Sequence, residues 1–293
     1  MSFISSTDPR EYDFAIDRLR IFFRSKGFIE APVQQQVSIL AACEDPRTIM
    51  DFTFGGESWA MPQTGQMLLE YYLLTNPDVR GYYCISTSYR NEPDPIPGRH
   101  DRVFQMFEFE THGDMQTLLR LETALLIHLG FGSKNMFRFM DYMDTAHALG
   151  VQEITAEHEE KIWKEWHHDI FFLSHFPQYT SPFWNMKKVG DVANKIDVIL
   201  YGMETIGSAE RSTDVNEMRD LFHTISNGMY AQMLYAKFGK SRVEKRLENF
   251  LALPMITRCG GGIGITPRMI RALKLAGIMP AFTPYHQEAA IEL

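Results

Sequence analysis

Apolar side chains recur at helical spacing near the start of the chain: Phe14, Leu19, Phe22 and Phe23 fall on one stripe of a segment over residues 9–26. Ser6, Thr7 or Asp8 can cap it, and Pro9 suits its first turn. The stripe ends near Gly27, after which residues 28–32 read as extended chain. A second helix is predicted over residues 64–74 and a third over 114–130, where Leu118, Leu121, Leu125 and Leu129 share a side. Between them, residues 82–86 and the aromatic run 103–110 have strand character and would form a hairpin. Further helices are expected over residues 156–168, 213–239 and 242–251. The last pattern is Gly260-Gly261-Gly262-Ile263-Gly264, a run that by itself more often marks a turn, leading into a final helix with Arg268 and Arg271.

A chain of 293 residues can bury a large core, as one sizeable domain or two tightly joined ones. Its 45% hydrophobic and 23% charged residues are ordinary for a soluble globular protein. No apolar run reaches the ~18 residues that span a bilayer. The opening residues lack the basic-then-apolar order of a signal peptide. Cys43, Cys84 and Cys259 show no metal-binding spacing and are odd in number, which suits a reducing cytoplasm. A net charge of −8, with no basic run longer than Lys187-Lys188, argues against a polyanionic partner, because phosphate neutralisation dominates such binding. The 17 methionines and 21 phenylalanines read as core filling.

The hairpin carries the first candidate chemistry. Tyr89-Arg90-Asn91-Glu92 leads through a short loop to Gly98-Arg99-His100 and on to the aromatic strand. Arg90 and Arg99 can each present a planar fork of donors to phosphate oxygens. Glu92 can accept from an adenine amino group, and Phe104 offers a face to the ring. Surface hairpins often carry two arginines and a glutamate, so composition leaves the bland reading open. The second candidate is Asp197 with Glu204, which a pair of antiparallel strands could bring to one Mg²⁺. In isolation these two read first as a solvated face. His167-His168-Asp169 is not taken as a metal site, since adjacent histidines on a helix point in different directions.

The order of these residues is more specific than any one of them. Arg90-x-Glu92, a loop, Arg99-His100, then Phe104-x-Met106 and Glu108 resemble motif 2 of the class II aminoacyl-tRNA synthetases, nearest to the asparaginyl and aspartyl enzymes. Asp101, Arg102 and Val103 depart from the middle of that pattern. The helix over 9–26 followed by Gly27-Phe28-x-Glu30 resembles motif 1 and implies a homodimer, although Gln34 stands where a proline is expected. The run from Glu204 to Arg211 resembles the asparaginyl Gly-Glu-Ile-x-Gly-Gly-Ser-Gln-Arg. It implies that Asp197 and Glu204 hold Mg²⁺·ATP and that Arg211 faces the amino-acid side chain.

The glycine run resembles motif 3, and also the Gly-Gly-Gly-Ile-Gly of bacterial ammonia-dependent asparagine synthetases. This places Gly262 and Gly264 beneath the nucleotide and Arg268 on the triphosphate end. Ile265-Thr266-Pro267 is one residue longer than the pattern, which keeps Arg271 as the fallback. Ala42-Cys43-Glu44 resembles the mobile substrate loop, so Glu44 would approach the α-ammonium. Residues 61–70 resemble the asparaginyl Ser-Gly-Gln-Leu-x-x-Glu run and place Gln63, Gln66 and Glu70 at the amino acid. Aspartyl enzymes carry a lysine near the positions of Leu69 and Glu70; without it, Glu70 would accept from an amide, or hold an ammonium. Glu108 is placed to hold an ammonium, and His100 to touch nucleotide or orient its loop.

The resemblance implies an α+β fold, a mostly antiparallel sheet flanked by helices. It implies one catalytic domain over residues 1–293, with 131–190 a divergent helical insertion and no anticodon-binding domain. Together with the acidic charge, this argues against tRNA charging by this chain alone. The expected activity is ATP- and Mg²⁺-dependent, AMP-forming activation of aspartate, with Arg90 and Arg268 as the catalytic cations and ammonia as acceptor, giving asparagine. Two alternatives remain at this point. One is adenylation of asparagine and transfer to another small, peptide or protein acceptor. The other is a catalytically silent paralogue that binds amino acid or nucleotide and regulates a partner.

Overall fold

The computed structural model describes residues 7–33, 38–41, 46–96, 98–99 and 101–282. The first helix, α1 (Pro9–Ser25), begins at Asp8, whose carboxylate accepts the Arg10 N–H at 2.9 Å, and it buries Ala15, Ile16, Leu19, Phe22 and Phe23. There follow β1 (Ile29–Glu30), a small hairpin of β2 (Asp51–Phe54) and β3 (Glu57–Ala60), and α2 (Gln66–Thr75). Next come β4 (Gly81–Tyr89), β5 (Val103–His112) and α3 (Met115–Leu129), with β6 (Arg138–Asp141), α4 (Tyr142–Leu149) and α5 (Ala156–Lys164) after them. The second half holds β7 (Ile170–Pro177), β8 (Lys188–Val189), β9 (Val192–Leu200), β10 (Met203–Glu210), α6 (Val215–Thr224), α7 (Met229–Phe238), α8 (Lys240–Leu251), β11 (Arg258–Gly264) and α9 (Ile270–Leu275).

A nine-stranded sheet runs in the order β1-β4-β5-β11-β10-β9-β7-β6, with β8 beside β9. Only β1–β4 and β6–β7 pair in parallel; the other ladders are antiparallel, as the resemblance implies. Strand alternation sorts β5 into two chemistries: Phe107 and Phe109 enter the core beneath α1, while Glu108 and Glu110 project to the other face. Phe23 of α1 lies with its ring centroid 5.0 Å from both Phe107 and Phe109. Trp184, Phe222 and Tyr230 centre a second core under α6 to α8. Among the described residues, no helix is long and apolar enough to cross a membrane.

Four expectations need correction. Residues 131–190 are not a helical insertion: β7 pairs with β9 and β6 with β7, so this region completes one side of the main sheet. The helix expected over 156–168 ends at Lys164, and His167 has φ 57°. The helix over 213–239 is broken in two, because Ser226, Asn227 and Gly228 adopt positive φ (54°, 56° and 79°). The glycine run is neither turn nor loop. It is β11, paired on both sides, between β5 and β10.

Several ionisable side chains are buried within this frame. Glu70 of α2 and Arg258 of β11 are both fully buried, with Nε and Nη2 of Arg258 at 2.9 and 2.6 Å from Glu70 Oε2. Asn185 donates to the other Glu70 oxygen at 2.6 Å. Glu122 of α3 is also fully buried, but neither of its oxygens finds a hydrogen-bond partner among the described residues.

Glu70→Ala should cost about 3–5 kcal/mol in urea unfolding, because it strands the Arg258 guanidinium in the interior. Burial pushes the Glu122 carboxyl up from 4.5 to about 8. The stability that goes with its protonated form is complete below the unfolded value and is lost as pH rises through the folded one. Glu122→Gln should remove this loss, so thermal melts of variant and natural protein should diverge in the variant's favour by about 1.4 kcal/mol per pH unit across that window.

Candidate active site

The site lies on the acidic face of β5 and over the bare backbone of β11. A cavity of about 250 Å³ is lined by Gln63, Gln66, Arg90, Phe104, Glu108, Lys195, Glu204, Arg211, Gly262, Gly264 and Arg268, among others. A smaller one of about 130 Å³ adjoins it, bounded by Glu92 and Arg99 and sharing Arg90, Phe104 and Arg268. The arginines thus mark one end and the β5 carboxylates the other.

At the arginine end, the β4–β5 hairpin sets the geometry. The Arg90 N–H donates to the Arg102 carbonyl at 2.8 Å, extending the hairpin ladder by one bond at its loop end. The Arg102 side chain donates to the carbonyls of Glu92 and Pro93 at 2.8 and 2.7 Å. Arg90 lies over the Phe104 ring, 5.4 Å from its centroid. Arg99 donates to Glu159 of α5 at 2.5 Å and to the Gly202 carbonyl at 3.3 Å, so it borders the smaller cavity while anchored to the 131–190 region. Arg268 donates to the Glu204 carbonyl at 2.8 Å and to its carboxylate at 3.2 Å. Arg271 instead donates to the Tyr201 carbonyl at 3.0 Å and stacks over Trp163, away from both cavities.

Asp197 and Glu204 converge where β9 and β10 pair. A Cβ on Gly207 would stand 3.0 Å from Glu204 Oε1 and 3.6 Å from Asp197 Oδ1, so the glycine leaves room for both carboxylates. Lys195 donates to Asp197 Oδ2 at 3.0 Å, while the buried Oδ1 accepts no hydrogen bond among the described residues. Burial holds the Asp197 carboxyl well above the usual range. Burial also pushes Glu204 upward, but the Arg268 guanidinium and the Lys195 ammonium outweigh it and hold Glu204 low. Two hard oxygen donors, one of them orphaned, fit a Mg²⁺ ion that completes its shell with phosphate and water.

The other end is built from paired charges. Glu108 accepts from the Thr64 hydroxyl, the Gly65 N–H at 2.7 Å and the Ser86 hydroxyl at 2.5 Å. Gln66 donates to the Phe109 carbonyl at 3.1 Å and to Glu110. Gln63 donates to the Thr48 carbonyl at 2.9 Å. Arg211 lies 3.4 Å from Glu110 and 3.7 Å from Glu70. Burial raises the Glu110 carboxyl despite the attraction of Arg211.

Most of the residues expected from sequence meet here. Glu70 does not: it lies beneath the cavity floor, held by Arg258 and Asn185, so it steadies Arg211 rather than facing a ligand. Glu44 and His100 lie outside the described residues. Asn185 and Lys195 line the cavity, and Glu110 and Arg258 lie behind it against Arg211 and Glu70, without having been singled out in sequence. Lys195 could have been found, since strand alternation puts it on the same face as Asp197.

The family described as tRNA synthetases class II (D, K and N) matches residues 13–273. No curated protein matches the sequence. Among solved structures, the asparaginyl-tRNA synthetase of Pyrococcus horikoshii complexed with asparaginyl-adenylate is similar with a TM-score of 0.70 and 17% identity, over 91% of this chain and 65% of that one. The asparaginyl-tRNA synthetase of Entamoeba histolytica gives 0.68 and 16%, over 91% and 63%. The aspartyl-tRNA synthetase of the same organism gives 0.65 and 17%, over 92% and 55%. The chain therefore spans less than two-thirds of the length of each, and at such identities the likeness shows the fold. The sequence match extends from α1 into α9, across both cavities, and on that extent the chain belongs to the class II tRNA synthetase family (D, K and N).

Proposed function

We propose that this chain activates aspartate with ATP, releasing pyrophosphate, and passes the activated β-carboxyl to ammonia, giving asparagine and AMP. The observation that carries the reading is the two-ended cavity: Arg90, Arg268 and Glu204 at one end, with Asp197 beside Glu204 at Gly207, and Glu108 and Arg211 at the other. A nucleotide needs the first set and an α-amino acid the second.

In this reading the adenine ring stacks on Phe104, with Glu92 accepting from its amino group. Gly262 and Gly264 let the nucleotide approach the strand backbone. Arg90 bridges the α-phosphate and the attacking carboxylate, and Arg99 and Arg268 receive the departing pyrophosphate. Asp197 and Glu204 would hold Mg²⁺, which supplies charge neutralisation on the phosphates. The β-carboxylate oxygen bonds to the α-phosphorus as the bond to pyrophosphate breaks. Ammonia then bonds to the β-carbonyl carbon, AMP leaves with the bonding pair, and a proton passes to solvent. No covalent protein intermediate is needed, because fixed cations stabilise the charge that develops. Glu108, Gln63 and Gln66 position the amino acid, and Glu44 and His100 keep the roles the resemblance implies.

The reading takes the chain as a cytoplasmic homodimer. The rival in which asparagine is adenylated rests on Glu70 and Arg211; Glu70 is buried against Arg258, while Arg211 lines the cavity.

Amino-acid-dependent ATP–pyrophosphate exchange, run with Mg²⁺ across all twenty amino acids and without tRNA, tests the reading. Exchange should appear with aspartate, and ammonia should then yield asparagine and AMP. Exchange with asparagine alone would replace this reading by the rival, and exchange with no amino acid would support the silent paralogue. Arg90→Ala should lower exchange by about 10²-fold or more with an unchanged melting temperature.

A further inference from the structure

We infer that Thr266 is a positioning residue of the nucleotide end: its hydroxyl ties the turn that carries Arg268 to β5, and so fixes the guanidinium relative to Phe104. The inference deepens the proposed function and rests on its placing of the nucleotide between these two side chains.

The tie is made where a ladder stops. β11 follows β5 as far as the pair Gly264–Met106, and the chain then leaves the sheet in a single wide turn, Ile265–Met269. Beyond the last pair, the Gln105 N–H takes a side chain as its acceptor, Thr266 Oγ1 at 3.2 Å. The same hydroxyl donates to Gln105 Oε1 at 2.8 Å. One buried hydroxyl thus acts as donor and acceptor toward the same residue, which a methyl group in its place could not do. Ile265 and Met269 also seat the turn, in the core beneath α1, but apolar contact is not directional. The hydroxyl sets the register.

The nucleotide end lies on both sides of this tie. Phe104 precedes Gln105, Arg268 follows Thr266 by two residues, and all three of Phe104, Thr266 and Arg268 line the smaller cavity. Arg268 folds back over the end of β11: a Cβ on Gly264 would stand 2.8 Å from its Cδ. From there it reaches Glu204 in a pair that is partly open to water, and such a pair holds a long side chain weakly. The placing of Arg268 therefore depends on the turn beneath it. β5 is held along its other edge by β4, so loss of the hydroxyl would shift the turn and leave Phe104 where it is.

Calorimetry of MgATP and of AMP binding to the intact protein, without amino acid, separates this role from a merely structural one, because AMP lacks the phosphates that Arg268 would meet. Thr266→Val should weaken MgATP binding about tenfold and leave AMP binding unchanged, and Thr266→Ser, which keeps the hydroxyl, should recover most of the loss. In an Arg268→Met background Thr266→Val should add no further loss. In exchange assays the KM for ATP should rise with the KM for aspartate unchanged. Gln105→Leu removes only the side-chain half of the tie; it should show the same selectivity with a smaller loss, and it carries the test if Thr266→Val does not fold. Unaltered MgATP binding in Thr266→Val, an equal loss for ATP and AMP, or no recovery in Thr266→Ser would overturn the inference. Losses that add in the double variant would overturn it as well, and a natural protein that binds no MgATP would overturn it together with the proposed reaction. If MgATP binding depends on Thr266 in this way yet no amino acid supports exchange, the inference stands and the proposed reaction falls.

Discussion

At Gly260, Gly261 and Gly262 the sheet between β5 and β10 has room only for backbone, because neighbouring groups already fill the space into which side chains would project there. A Cβ on Gly260 would run into the Glu110 carboxylate and the Phe109 carbonyl, and would lie 2.8 Å from the Gln66 amide. One on Gly262 would meet the Met106 methyl at 2.6 Å. At these three positions the strand forgoes side-chain packing, which ordinarily weakens a sheet. In return Glu110 and Gln66 reach across it toward Arg211, and the cavity acquires a floor that a flat ligand can lie against. The two functional ends are joined by this floor, so their spacing is set by strand geometry and not by loops.

The first residue of the same strand explains how buried charge is tolerated. Arg258 enters the interior beside Glu70, Asn185 and the Ser212 carbonyl, with every side of its guanidinium engaged. Removing two charges from water is expensive, and such clusters add little net stability. What they add is position: Glu70 carries Arg258 on one oxygen and, on the other, Asn185 with Arg211 at 3.7 Å. The direction in which Arg211 points is therefore fixed before any ligand arrives.

This division of labour also accounts for what sequence could and could not reveal. Arg90, Phe104 and Glu108 belong to one hairpin, whose ladder pairs Ser88 with Phe104 and Cys84 with Glu108. Their spacing along the chain therefore encodes their spacing in the site. Asp197 and Glu204 are joined in the same way by the β9–β10 pairing. Glu70 was legible as a site residue but not in its role, because its partner Arg258 lies 188 residues away. The glycine run read as a turn because three successive glycines lack the alternation that marks strands. Residues 131–190 read as an insertion because their strands, β6 and β7, sit outside the motifs; Phe171, Phe172 and Leu173 in succession are buried on both faces and carry no period of two.

The two ends of the cavity differ in how firmly they are held. Arg211 and Arg258 have side chains 5% and 0% exposed and are fixed by carboxylates that are themselves fully buried. Arg268 and its partner Glu204 have side chains 21% and 32% exposed. An ion pair open to water is weak and readily exchanged for a stronger anionic partner. On the proposed reading, the arginine end can thus give up its internal ion pairs for phosphate contacts as a triphosphate enters, whereas Arg211 and Arg258 are held in place beforehand. Discrimination between side chains that differ by a single charge needs a rigid frame. Capture of a highly charged, flexible triphosphate needs cations that can follow it. The fold supplies the first from the sheet interior and the second from its rim.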